Sequence, residues 1–152
     1  MPEQARETIS IAAPVQRVFD TLVDFESYPE WAADLKQAEV VDRDDRGRPT
    51  EVEFRAAAMG RSTTYRLRYD YEGAPNRLGW ALAEGDLQRE LDGAYLLSAS
   101  PDTPGATDIV YELSIDLIVP IPGFVKRRAE NRINKTALDQ LKQRVESTPV
   151  SD

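Results

Sequence analysis

Residues 36 to 117 alternate in character. Six consecutive segments, 36 to 43, 50 to 58, 61 to 72, 77 to 84, 87 to 99 and 106 to 117, place apolar side chains at every second position with polar ones between. That is the period of a half-buried strand, whose successive side chains point to opposite faces. In TEVEFRAAA the apolar set is Val52, Phe54 and Ala56; in STTYRLRYDY it is Tyr65, Leu67, Tyr69 and Tyr71, with Arg66, Arg68 and Asp70 opposite. Leu78, Trp80 and Leu82 form one face, as do Leu91, Gly93, Tyr95 and Leu97, and then Ile109, Tyr111, Leu113, Ile115 and Leu117. The connections DDRGRP, MG, GAPN, EGD and PDTPG are turn chemistry, so the segments read as an antiparallel meander with one dry face and one wet face.

After the break IVPIPG the period lengthens. Val125, Ala129, Ile133, Ala137, Leu141 and Val145 recur at four-residue intervals with Leu138 beside them, which predicts a long helix over about 124 to 146. Ahead of the meander, ETISIA reads as a strand over 7 to 12. Pro14, suited to a first helical turn, then opens a helix over 14 to 23 with Val15, Val18, Phe19 and Leu22 on one face. Pro29 disfavours helix at Tyr28, so a second short helix is expected from the proline onward, over about 29 to 34, with Tyr28 and Trp31 facing different neighbours. The order predicts an α+β fold: a seven-stranded curved antiparallel sheet around a long C-terminal helix, with two short helices after strand 1. At 152 residues one domain is expected, 1–152 with its core over 7–146.

Composition narrows the chemistry. A formal net charge of −8 would repel phosphate backbones, so nucleic acid is not an expected partner. The longest uncharged apolar run, residues 117 to 125, holds two prolines and a glycine and falls far short of the roughly 20 residues that span a bilayer. No transmembrane segment is expected, and the opening MPEQARETIS lacks the basic and apolar regions of a secretory signal, which makes a cytoplasmic location the expectation. There is no cysteine and no histidine. Ser-His-Asp triads, Cys-His pairs and the usual zinc sites are thereby excluded, and any catalysis must use carboxylates, tyrosine, lysine, arginine or polarised water.

The opening ISIAAPVQRVFDTLVDFESYPEW resembles the start of the START-like, polyketide cyclase/dehydrase and coenzyme Q-binding superfamily. Ala13, Pro14, Val18, Phe19, Leu22, Asp24, Tyr28, Pro29 and Trp31 match its pattern. ELDGAYLL is similar to the family's D-G-aromatic strand, TDIVYELSIDL to the next strand, and VPIPGFV leads into a closing helix that ends in LKQRVE. The resemblance covers about residues 7 to 146. It implies a helix-grip fold, with an apolar cavity between sheet and helix. That fold serves lipid carriage, quinone binding, polyketide cyclisation and hormone sensing, so it does not by itself choose an activity.

The candidate ligand-contacting residues follow from the dry face: Phe54, Tyr65, Leu67, Tyr69, Trp80, Leu82, Tyr95, Tyr111 and Leu113, with Trp31 at the sheet's rim. They could line a pocket for a flat apolar ligand, with tyrosine hydroxyls giving direction, or simply pack as a core. The closing helix adds Ile133 and Asn134, with Glu130 nearby. An amide on a buried face needs a polar partner, which a ligand or water would supply; alternatively this half of the helix is solvated, with Lys126 and Glu130 as an i, i+4 pair.

In KRRAENR, residues 126 to 132 read as a solvated helix face, the alternative being a dock for an acidic partner or headgroup. DRDDRGRPTEVE fails as a calcium loop, because arginines oppose the acids, Pro49 intrudes and strands flank it, leaving a hairpin turn. No metal site and no cofactor are expected. The leading expectation is a carrier or sensor of a small hydrophobic ligand, aromatic, lipid-like or quinone-like. The rival is a polyketide aromatase/cyclase in which Tyr65, Tyr69 or Tyr111 would serve as acid, Arg55 and Arg66 lying on the wet side. A partner-binding module using the basic end of the helix is a third class. The sequence carries no signal for oligomeric state.

Overall fold

The computed structural model describes residues 5–58, 61–117 and 123–147, with side chains described for all of these except 5, 58, 61, 117, 123–127, 129–131, 133 and 134. The chain runs β1 (Ala5–Ile11), α1 (Val15–Val23), a 3₁₀ helix (Phe25–Glu30), β2 (Leu35–Arg43), β3 (Pro49–Ala58), β4 (Arg61–Asp70), β5 (Arg77–Gly85), β6 (Gln88–Ala99), β7 (Thr107–Leu117) and α2 (Gly123–Ser147). The seven strands form one antiparallel sheet in the order β1-β7-β6-β5-β4-β3-β2. Each strand from β2 to β6 thus pairs with its successor, as hairpin turns dictate. The first strand closes the far edge by pairing with the last, Ile9 opposite Ile109.

The alternation read from the sequence is the alternation of burial. Val52, Phe54, Leu67, Tyr69, Leu78, Trp80, Leu97, Ile109, Tyr111, Leu113 and Ile115 are all buried in one core, while Arg55, Arg68 and Asp70 are exposed. On the wet face, Arg66 Nε donates to Glu53 Oε1 at 3.0 Å across the β3–β4 pairing. Irregularities bend the sheet: between Arg66 and Leu67 the register to β5 slips by a residue, and similar slips occur along β2 and at the start of β6. Such bulges raise the local twist and let a flat ribbon curl.

The turn over residues 44 to 48 is a hairpin connection, as expected. The Asp44 carboxylate accepts from the backbone N–H groups of Arg46 and Arg48 and from Arg48 Nε, and Gly47 takes φ +80°, a conformation that a side chain would strain.

Helix α2 is fastened to the opposite end of the chain. Leu138, Leu141 and Val145 are buried in the shared core. Lys142 Nζ donates to the Ser10 carbonyl at 2.8 Å, the Ala12 N–H donates to Glu146 Oε2 at 2.9 Å, and Arg17 Nη2 donates to the Val145 carbonyl at 3.0 Å. The last of these caps a carbonyl that has no partner within a helix end. Arg144 pairs with Glu30 at 3.1 Å, linking α2 to the 3₁₀ helix.

One element departs from the sequence expectation. The second short helix spans Phe25–Glu30, with Pro29 inside it, and so precedes the expected 29 to 34. Proline removes one hydrogen bond, but a helix of this length relies on few. Ser27 N–H donates to the Asp24 carbonyl at 3.2 Å, and beyond the proline Trp31 and Ala32 N–H groups both donate to the Tyr28 carbonyl, at 3.1 and 2.7 Å. The Tyr28 and Trp31 rings do not face different neighbours either: their centroids are 4.8 Å apart.

Candidate functional site

The 3₁₀ geometry sets the rim of the candidate site. With three residues per turn, side chains three apart eclipse, and Phe25, Tyr28 and Trp31 stand in one row. Successive ring centroids are 5.5 and 4.8 Å apart. Phe25 is fully buried and leans on Tyr69 of β4 at 4.3 Å and on Phe54 of β3 at 6.4 Å, edge-on. Trp31 is half-buried at the outer end of the row. The sequence reading missed Phe25 and treated Tyr28 as a fold element. The spacing 25, 28, 31 was the available signal, but it points to one face only for a helix of period three.

Strand pairing assembles the floor. Phe54 stands opposite Tyr65, Tyr69 opposite Trp80, and Tyr95 opposite Tyr111. Trp80 is the hub: its ring lies 6.1 Å from Tyr69, 5.3 Å from Tyr95 and 5.6 Å from Tyr111, and the last two are 4.6 Å from each other. All these contacts are tilted rather than parallel, the arrangement ring quadrupoles prefer. Leu67 and Leu113 are buried among the rings, whereas Leu82 and Tyr65 are half-buried towards the β4–β5 end. The sequence-derived residues of the sheet and rim are therefore brought into one core. Ile133 and Asn134, like Glu130 and Lys126, lie outside the described side chains. Arg128 and Arg132 are exposed, as a solvated helix face requires.

The tyrosine hydroxyls differ in what they meet. Tyr28 donates to the Leu22 carbonyl, an otherwise unpaired group at the end of α1. Tyr71 donates to the Pro49 carbonyl at 2.6 Å, beneath the Arg48 guanidinium, and burial pushes its phenol up to about 12. Tyr95 and Tyr111 pack ring against ring. Tyr69, 8 % exposed, meets no donor or acceptor among the described residues. Removal from water drives the phenols of Tyr28, Tyr69, Tyr95 and Tyr111 well above their ordinary range, and that of Tyr65 upward too, so every one of them holds its proton at neutral pH. They can donate hydrogen bonds or a proton; none can act as a resting base.

Among the described residues, no group of His, Cys, Asp and Glu side chains is arranged to hold a metal ion. The buried polar side chain Thr107 is satisfied by donating to the Ala13 carbonyl at 2.6 Å. A groove of ≈ 240 Å³ on the strands β3 to β5 is bordered by Glu53, Arg66, Glu84 and Asp86, besides Thr64, Tyr65 and Gly85. Of its charged groups, Arg66 pairs with Glu53, and Asp86 accepts from the Thr63 hydroxyl and the Thr64 N–H. No helix among the described residues is long and apolar enough to cross a membrane.

Comparison with known proteins places this architecture. A family model described as polyketide cyclase / dehydrase and lipid transport matches residues 2–146. No curated protein matches the chain by sequence. Among solved structures, a START superfamily protein from Mycobacterium smegmatis is 23% identical, with 94% of this chain and 97% of that one aligned at a TM-score of 0.87. The Zhui aromatase/cyclase from Streptomyces sp. R1128 is 14% identical over 96% and 94% of the two chains, with a TM-score of 0.78. A STAR-related lipid transfer protein fragment from Xanthomonas axonopodis is 15% identical over 95% and 86%, with a TM-score of 0.71. At such identities the likeness speaks for the fold, which is the helix-grip arrangement expected from the sequence.

Proposed function

The chain belongs to the polyketide cyclase/dehydrase and lipid transport family, and from that premise we propose that it binds a small, flat, hydrophobic ligand between the concave face of the sheet and α2. The observation that carries this reading is the continuous aromatic surface that runs from Trp31 through Phe25 and Tyr69 to Trp80, Tyr95 and Tyr111. Aromatic walls offer large, stiff contact area, and hydroxyls at their edges orient a ring system. Ligand contacts are assigned to Trp31, Tyr65, Tyr69, Trp80, Tyr95 and Tyr111, and, on the spacing of the sequence alone, to Ile133 and Asn134. A carrier or sensor role in the cytoplasm follows this reading. The test is native mass spectrometry of the purified protein, together with tryptophan-emission titrations using a naphthoquinone and a long-chain fatty acid. A co-purified or saturably bound hydrophobic molecule supports the reading; neither in any titration defeats it.

A second reading, catalysis of polyketide cyclisation, is favoured by one property of the same surface. Neutral buried phenols can protonate or hydrogen-bond an enolising carbonyl, which is the acid role such a reaction needs. Tyr65→Phe and Tyr111→Phe would then lower turnover of a poly-β-ketone while leaving folding intact. Unchanged turnover in both removes these tyrosines as the acid.

A further inference from the structure

We propose that the basic row Arg128, Arg132 and Lys135 on the outer side of α2 docks the protein on an anionic lipid bilayer. The proposal concerns the surface of the helix and does not depend on what the interior binds.

Charge is unevenly placed along the chain. Residues 126 to 135 hold five Lys and Arg against the single acid Glu130, a net charge of +4, so the other 142 residues carry −12. All ten belong to α2, whose first turn has no acidic residue. Cations at the start of a helix oppose the positive end of the backbone dipole, so helix stability does not call for them there. Arg128, Arg132 and Lys135 are exposed, and among the described residues none of the three has a carboxylate partner. Lys142 and Arg144, further along the same helix, are by contrast paired with Glu146 and Glu30.

At 3.6 residues per turn, positions 128, 132 and 135 fall within about 60° of one another and span about 10 Å of the helix axis. They form one row, turned away from the buried Leu138, Leu141 and Val145. Asp139, exposed one turn further on, ends the positive row.

The fold sets this row at one end of the molecule. Lys142 and Glu146 bond to Ser10 and Ala12, beside the first residues of β7, and Ser10 stands opposite Asp108. A helix of 25 residues is about 37 Å long, so its basic half reaches toward the other end of β7, where Leu117 pairs with Gln88. The inward side chains that stay half-buried, Tyr65, Leu82 and Leu91, lie at that end of the sheet as well.

A bilayer suits the row better than an acidic protein does. The chain just ahead of it, LIVPIPGFV over 117 to 125, carries no charge, and apolar residues beside Lys and Arg are what interfacial segments present to a membrane. The acidic remainder of the molecule does not prevent the approach. At 0.1 M salt the Debye length is about 10 Å, so a surface met by the basic end feels that end while the charges behind it are screened.

The test is co-sedimentation of the full chain with phosphatidylcholine vesicles, with and without about one-third phosphatidylglycerol, in about 0.1 M salt. Partitioning should be about tenfold stronger onto the anionic vesicles and should weaken as salt is raised. Arg128→Gln, Arg132→Gln and Lys135→Gln together should weaken it roughly a hundredfold, about fivefold per residue, and Arg132→Gln alone serves should the triple variant fail to fold. A variant of equal net charge, Arg46→Gln with Arg55→Gln and Arg68→Gln, changes exposed arginines elsewhere and should bind like the parent. Equal partitioning onto both kinds of vesicle overturns the proposal. An equal loss in the charge-matched variant overturns the assignment to α2. Capture by polyglutamate without vesicle binding overturns the bilayer as partner and assigns the row to an acidic protein. Titrations of hydrophobic ligands in the absence of vesicles report on the interior separately, so either reading can fail while the other stands.

Discussion

The Trp80 indole rests against the bare Cα of Gly93, its partner across the β5–β6 pairing: a methyl group built on Gly93 would lie 2.6 Å from Trp80 Cζ2 and 2.3 Å from the Glu112 carbonyl oxygen. Side chains do not tolerate such distances, so the glycine is what permits the hub of the aromatic surface to lie over β6. Gly93→Ala should therefore destabilise the protein by about 1–3 kcal/mol, the usual cost of forcing an extra carbon into a packed interior. Urea unfolding would measure it. An unchanged midpoint, with the near-ultraviolet dichroism of the aromatics preserved, would show that Trp80 has another place to go.

Phe25 and Tyr28 separate packing from hydrogen bonding within one short helix. Phe25→Ala should cost about 3–5 kcal/mol, because a fully buried ring against Tyr69 and Phe54 leaves a cavity. Tyr28→Phe keeps the ring and loses only the bond to the Leu22 carbonyl, for about 1 kcal/mol. Equal losses in the two variants would contradict this division of roles.

Alkaline pH should unfold the protein in step with tyrosine ionisation. Burial raises the phenols of Tyr28, Tyr69, Tyr95 and Tyr111 above the ordinary 10.0, so the folded state retains protons that the unfolded chain gives up. Their contribution is complete below pH 10 and is lost as the pH rises past that value. Phenolate absorbance and far-ultraviolet dichroism, followed together, should change in one transition. Early ionisation of most tyrosines with the fold intact would argue that these hydroxyls reach water.

Glu146 governs the acid side at the end of α2. The Ala12 N–H, and then Lys142, hold its carboxyl below the ordinary 4.5, so the stabilisation it provides is present above that value and fades as pH falls through it. Glu146→Gln should lower the thermal midpoint near neutral pH, and the difference from the parent should shrink below pH 4.5. A difference that is constant with pH would assign the effect to packing instead.

Much of the architecture was legible because it is local. Strand side chains alternate by backbone geometry alone, so the dry face of Val52, Phe54, Tyr69, Trp80 and Tyr111 could be read two residues at a time, and four-residue spacing marked α2. The 3₁₀ helix was misplaced because the rule for proline concerns the α region, whereas this helix is short enough to lose one bond. Its aromatic row is then stabilised by Phe54 and Tyr69, which lie 29 and 44 residues beyond Phe25 in the chain and in a different layer.

Residue pattern thus decided which side chains turn inward, for side-chain direction is set within a few bonds. It could not decide what each inward hydroxyl meets. Tyr28 finds the end of α1, Tyr71 finds the Pro49 carbonyl, and Tyr69 finds no partner among the described residues, although all three are tyrosines on the inward side. Hydrogen bonds depend on contacts within a few ångströms between residues far apart in the chain, and only the closed tertiary structure brings those groups together or leaves one of them wanting.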